Sequence, residues 1–170
     1  MKEIVEELGG DMVMYFVQNP LKMHRKALGA AKASSAAHAQ GKFWEYHDAL
    51  FENQRLLDIP DLANHAQRLK LDMTRFQLDS QNAEREQIIL TQRSLVESLG
   101  ARGTPAFFIN GKMQVGWGSW QGFRGMVQRE LKQANDALKA GTKLAKLHET
   151  RAKVNMAPKD FAIYKKAVID

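Results

Sequence analysis

Gly100-Ala-Arg-Gly-Thr-Pro-Ala-Phe-Phe-Ile-Asn-Gly-Lys-Met-Gln-Val-Gly116 is the stretch on which the fold turns. A Gly-Thr-Pro turn feeds a short apolar run, Asn110-Gly111 interrupts it, and a second short run follows. Asn-Gly is the strongest short-range hairpin signal, because both central residues of a type I′ turn need positive φ. Phe107–Ile109 and Met113–Val115 are therefore expected as two antiparallel strands. Pro105 lacks an N–H and has a fixed φ, so it belongs at the strand's entry and outside its ladder.

Working outward on the N-terminal side, Ile4, Val5 and Leu8 share one helical face, and Gly9-Gly10 supplies a stop. Met12-Val-Met-Tyr-Phe-Val17 is an unbroken apolar run, the pattern of a strand covered on both faces. About eighty helical residues follow. Lys22 to Gln40 is alanine-rich, with Gly41 in the capping position, and Phe43, His47, Leu50 and Phe51 form one apolar stripe expected to be buried. Asp58-Ile-Pro-Asp61 and Asp72 mark further helix starts. A long helix from about Asn82 to Leu99 is expected to bury Ile88, Leu95, Val96 and Leu99. Beyond the hairpin, Trp120, Phe123, Val127, Leu131, Ala134 and Leu138 hold helical spacing behind Ser119 as N-cap, and Gly141 closes that helix. Residues 141–170 read as a short helix and linker.

The 170 residues suffice for one domain with its own core. No run of 18 apolar residues is present, so no membrane span is expected, and the amphipathic, acidic residues 1–8 do not read as a secretory signal. Of the net charge of +6, the segment 141–170 carries seven Lys/Arg against three acids, hence +4. The body gives no basic face of the kind nucleic-acid binding requires. The five histidines, at 24, 38, 47, 65 and 148, lie in separate segments without metal-ligand spacing, so no metal and no other cofactor is expected. Ser34-Ser35 has no identifiable base, and Gly116-Trp-Gly118 lacks the unit that would make it a dinucleotide fingerprint. The chain contains no cysteine, which excludes a thiolate nucleophile and a disulfide framework.

From Pro20 to about Leu131 the sequence resembles the DsbA-like thiol-disulfide oxidoreductases, which carry a thioredoxin fold with a helical insertion. The resemblance rests on a combination in order. Pro20-Leu21 comes with His24 and Ala27, then Gln40-Gly-Lys-Phe-Trp44 with His47-Asp48, Leu50-Phe51 and Asn53-Gln54. Leu71-Asp72 and Phe76 follow, and Gly103-Thr-Pro-Ala-Phe-Phe-Ile-Asn-Gly111 completes the pattern. It implies an α/β, thioredoxin-like fold over residues 1–140, with the inserted helices at about 22–99 and a basic C-terminal helix and linker at 141–170. It also implies that Thr104–Pro105 is cis, and that Arg102, Gly103, Thr104 and Pro105 hold an extended polypeptide substrate by main-chain hydrogen bonds. Family members work in oxidising compartments such as the bacterial periplasm.

One departure from that family is as clear as the match. Its members begin with a strand leading into a Cys-x-x-Cys turn, and this sequence starts partway down the helix that follows. The first strand and both catalytic cysteines are missing, so no catalytic residue is assigned and the domain is expected to be redox-inactive. Two roles stay open: part of an oxidoreductase whose active-site strand lies outside this sequence, or a non-catalytic peptide-binding or interaction module. In the thioredoxin sheet the missing strand lies between Met12–Val17 and the hairpin, which leaves two inner edges unpaired. Self-association by element exchange, or a strand supplied by another segment such as Phe161–Ile169, is the expected remedy.

Overall fold

The computed structural model describes residues 2–169. Its elements are α1 (Lys2–Leu8), α2 (Ala27–His38), α3 (Phe43–Glu52), α4 (Ile59–Arg68), α5 (Met73–Gln81), α6 (Ala83–Ser98), β1 (Ala106–Ile109), β2 (Lys112–Val115), α7 (Trp120–Lys139), α8 (Leu144–Asn155) and α9 (Pro158–Tyr164). A 3₁₀ turn, Gly9–Asp11, follows α1, and a π-helical turn, Lys165–Ile169, follows α9. The chain divides into two compact units. One joins the residues up to Phe16 with those from Leu95 onward, and the other is Val17–Ser94.

The second unit is helical, and small side chains explain its close packing. Ala33, Ala36 and Ala37 of α2 meet Tyr46 of α3, Leu62 and Ala66 of α4, and Leu71 and Phe76 in one core. Asp72 caps α5 by accepting from the Arg75 N–H at 3.0 Å. The Gln40 side chain clamps the same turn, accepting from the Asp72 N–H at 2.8 Å and donating to its carbonyl at 3.1 Å.

Two details of this unit differ from the sequence expectation. In α3 the side chain turned inward is Tyr46, fully buried, with its hydroxyl donating to the Leu62 carbonyl at 2.9 Å. Of the stripe expected inside, Leu50 does pack against this core, but Phe43 and His47 are half-buried and Phe51 is 60% exposed. Phe43–Trp44, Trp44–His47 and His47–Phe51 are ring neighbours with centroids 5.0, 5.5 and 4.5 Å apart. Aromatic residues surround this helix, and the tyrosine wins the core because a carbonyl is in reach for its hydroxyl. In α6 it is Ile89 that is buried, while Ile88 is exposed. Val96 and Leu99 are buried as expected.

The first unit is built on the hairpin. Ala106 pairs with Val115, Phe107 with Gln114, Phe108 with Met113 and Ile109 with Lys112, antiparallel. Asn110 and Gly111 turn at φ of 47° and 85°, the positive values that a type I′ turn demands. Alternation sends the side chains of β1 to two cores. Phe107 and Ile109 pack with Ile4 of α1 and with Phe123, Met126 and Val127 of α7. On the opposite face Phe108 packs with Leu99, Ala152 of α8 and Tyr164 of α9. Ser119 caps α7 by accepting from the Gly122 N–H at 3.1 Å.

The expected strand at Met12–Val17 does not form. Met12 has extended backbone, φ −136° and ψ 132°, but no ladder partner, and Val13 and Tyr15 are 71% and 82% exposed. An apolar run becomes a strand only beside another strand, and β2 is the sole strand hydrogen-bonded to β1 among the described residues. The tail also departs from its expectation. It is helical through α8, α9 and the closing π turn, and Phe161 and Tyr164 cover a face of β1 instead of adding a strand to its edge.

Candidate functional site

The loop between α6 and β1 is set by how α6 ends. Gly100, at φ 93°, reverses the chain; its N–H donates to the Glu97 carbonyl at 3.0 Å and that of Ala101 to Val96 at 2.9 Å. Arg102, Gly103, Thr104 and Pro105 then cross to β1, with the Arg102 N–H bonded back to the Gly100 carbonyl at 3.0 Å. The Thr104–Pro105 peptide bond is cis. The Pro105 carbonyl accepts from the Gly116 N–H at 2.8 Å, which fastens the loop's end to the far end of β2.

Arg102, Thr104 and Pro105 are exposed and Gly103 is half-buried. Among the described residues, the N–H groups of Gly103 and Thr104 donate to no backbone carbonyl.

The pairing register also says which groups of β1 face outward. The Gly116–Pro105 bond makes that pair a hydrogen-bonded one, so with antiparallel alternation Phe107 and Ile109 direct their N–H and C=O groups at β2. Ala106 and Phe108 direct theirs away from it, to an edge on which no backbone partner is present among the described residues.

A polar network, not legible in the sequence, holds the hairpin's other end. Glu130 of α7 and Arg151 of α8 are both buried, and Arg151 Nη2 lies 3.2 Å from Glu130 Oε2. Arg151 also donates to Gln133. Asn155 Nδ2 donates to Glu130 at 3.1 Å and to the Asn110 carbonyl at 2.9 Å, tying the turn to α8. His148 stands between Asn110 Oδ1 at 3.3 Å and the Tyr164 hydroxyl at 3.1 Å. Burial lowers the His148 pKa below its ordinary value and raises that of Tyr164.

The other histidines hold ordinary packing roles where their contacts are seen. His65 is buried with Nε2 3.1 Å from the Leu56 carbonyl, and His47 Nδ1 lies 3.1 Å from Asp48 Oδ1. Among the described residues, no group of three or more His, Asp or Glu side chains is arranged to hold a metal ion.

Residues 2–128 match the family of DSBA-like thioredoxin domains. The chain belongs to that family. Its fold is accordingly α/β and thioredoxin-like, largely helical around a small sheet. As it stands this DSBA-like domain is redox-inactive, because a chain without cysteine has no thiolate to attack a disulfide and no second thiol to resolve one.

Its curated relatives include sodium/proton antiporters. It is 39% identical to Na(+)/H(+) antiporter NhaA 3 of Salinispora tropica over 97 residues, 55% of this chain and 14% of the antiporter. It is 38% identical to Na(+)/H(+) antiporter NhaA of Herminiimonas arsenicoxydans over 104 residues, 61% and 16% of the two chains. Na(+)/H(+) antiporter NhaA 1 of Mycobacterium sp. (strain KMS) is 31% identical over 117 residues, 67% and 19%. The chain thus spans less than a fifth of these relatives' length. No solved structure matches. Among the described residues no helix is long and apolar enough to cross a membrane.

Proposed function

We propose that this chain is the polypeptide-holding part of a DSBA-like domain, a binding module without thiol chemistry of its own. The observation that carries the reading is the exposed loop Arg102–Pro105, whose Gly103 and Thr104 N–H groups are open beside β1. Main-chain bonds of this kind hold an extended segment with little regard to its sequence. The expected ligand is an unfolded or extended stretch of protein, met outside the cytoplasm (in bacteria, the periplasm), where the family's relatives work.

The loop reading is tested by following backbone amide resonances while an unfolded, cysteine-free polypeptide is titrated in. Selective shifts of Gly103 and Thr104, lost in Thr104→Pro, are expected. Binding that leaves these amides unmoved would assign the ligand to another surface.

The antiporter matches favour a second reading, in which such a domain is an accessory part of a transporter. That reading predicts sodium-dependent proton exchange in vesicles from cells expressing the complete natural reading frame. It predicts none for residues 1–170 alone.

A further inference from the structure

We propose that Asn110 is a site of spontaneous deamidation, and that α8 sets its rate by holding the Asn110-Gly111 turn shut. The inference is independent of the loop reading above, since it concerns the tip of the hairpin and not Gly103 and Thr104.

Asn110-Gly111 is the one Asn-Gly pair in the sequence. In such a pair the glycine nitrogen attacks Cγ of the asparagine side chain. Its N–H proton is lost to solvent, the side-chain amide takes up a proton and leaves as ammonia, and a cyclic imide remains. Water then opens the imide to aspartate or isoaspartate. The net change is amide and water giving carboxylate and ammonium, with no oxidant or reductant. Glycine is the following residue that permits the attack best, because it has no side chain to obstruct it.

In the folded chain this pair is held at both groups that must move. Ring closure requires the Asn110 side chain to swing toward Gly111 and the peptide between the two residues to rotate. The side chain is engaged on α8, where Asn110 Oδ1 lies 3.3 Å from His148 Nδ1, and His148 Nε2 lies 3.1 Å from the Tyr164 hydroxyl. The peptide is engaged on α8 as well, because Asn155 Nδ2 donates to the Asn110 carbonyl at 2.9 Å. Asn155 is itself fixed by Glu130, to which it donates at 3.1 Å, and Glu130 is buried beside Arg151. Gly111 is buried too, with no room on its α8 side, since a Cβ there would lie 2.9 Å from the Ala152 Cα.

The turn is therefore reactive in the open chain and protected in the folded one. That protection is local: it is lost when α8 lifts from the tip, without unfolding of the rest of the domain. Reaction then makes the release permanent. Isoaspartate adds a backbone carbon to a tight turn between the paired residues Ile109 and Lys112, whose glycine already touches α8. Aspartate puts a carboxylate where His148 now meets a neutral amide. Either product alters the surface on which α8 closes, so the tip of the sheet records how long the helix has been away from it.

Peptide mapping by mass spectrometry follows position 110 while the full chain is incubated at mildly alkaline pH. The parent is expected to convert slowly in buffer and fast in urea. Asn155→Ala and His148→Ala, measured separately, should each react about tenfold faster than the parent in buffer, the effect of one lost hydrogen bond on a local opening. Amide hydrogen exchange at Val127, in the core on the other face of the hairpin, separates this from a general loss of stability. Exchange there should rise far less than the reaction at Asn110. A parent that converts as fast in buffer as in urea overturns the inference. So does a parent-like rate in either variant, or an acceleration no larger than that of exchange at Val127. None of these results bears on whether Gly103 and Thr104 respond to a polypeptide ligand.

Discussion

Gly111 sits directly on Ala152. A Cβ placed on the glycine would lie 2.9 Å from the Ala152 Cα and 2.9 Å from Met156 Cγ, so the hairpin's tip touches the backbone of α8. The residue thus meets two demands at once, a positive φ of 85° and a close helix approach. Gly111→Ala is expected to cost about 2–4 kcal/mol in denaturant melts, from backbone strain together with overpacking. Gly116, at φ 79° with nothing near its Cβ position, is the control. Gly116→Ala should cost only the strain, about 1 kcal/mol. Equal losses at the two sites would mean that the tip does not press on α8.

The Glu130–Arg151 pair should behave as a buried ion pair, with side-chain exposures of 3% and 10%. Removing one partner strands the other's charge, so Glu130→Ala is expected to lose about 3–5 kcal/mol. The paired replacement Glu130→Leu/Arg151→Met should recover most of that loss, because it removes both charges together. A single variant within about 1 kcal/mol of the parent would show the pair to be solvated.

In the helical unit the large effect belongs to Tyr46. Tyr46→Ala should cost about 3–5 kcal/mol through the lost ring, and Tyr46→Phe about 1 kcal/mol through the bond to the Leu62 carbonyl. Phe43→Ala, on the half-exposed aromatic side, should cost clearly less than Tyr46→Ala. A reversed order would return Phe43 and His47 to the core.

The contrast between these sites shows which parts of the sequence were informative. The hairpin was legible because Asn110-Gly111 has few other conformations to adopt, and the starts of α5 and α7 because Asp72 and Ser119 cap them locally. The inward faces of α3 and α6 were not. Aromatic residues at 43, 44, 46, 47 and 51 surround one helix, and Ile88 and Ile89 are adjacent in the other, so spacing alone leaves a tie that tertiary contacts break. Met12–Val17 read as a strand because composition reports what a segment can bury and not whether a partner strand is there. Nothing in the sequence pairs Glu130 with Arg151, since only the fold brings them within 3.2 Å. The loop Arg102–Pro105 was legible as a position, but that its Gly103 and Thr104 N–H groups have no backbone partner among the described residues is seen only in the folded chain.

His148 makes the grip of α8 and α9 on the hairpin's tip dependent on pH. Its ring lies against Asn110 and Tyr164, and burial lowers its pKa below the ordinary value near 6.5. A lowered folded-state pKa means that the unfolded chain takes up the proton first. The stabilisation is therefore complete above the unfolded value and is lost as pH falls through the folded one. Neighbouring groups do not supply this slope. Glu149, hydrogen-bonded to Lys165 and Lys146, is held down to about 2 and stays ionised throughout, and burial moves Tyr164 upward, away from the window. Urea melts of the parent should lose stability between pH 7 and pH 5, and His148→Gln should flatten that dependence while keeping a hydrogen-bonding side chain. The same slope in parent and variant would place the acid sensitivity elsewhere.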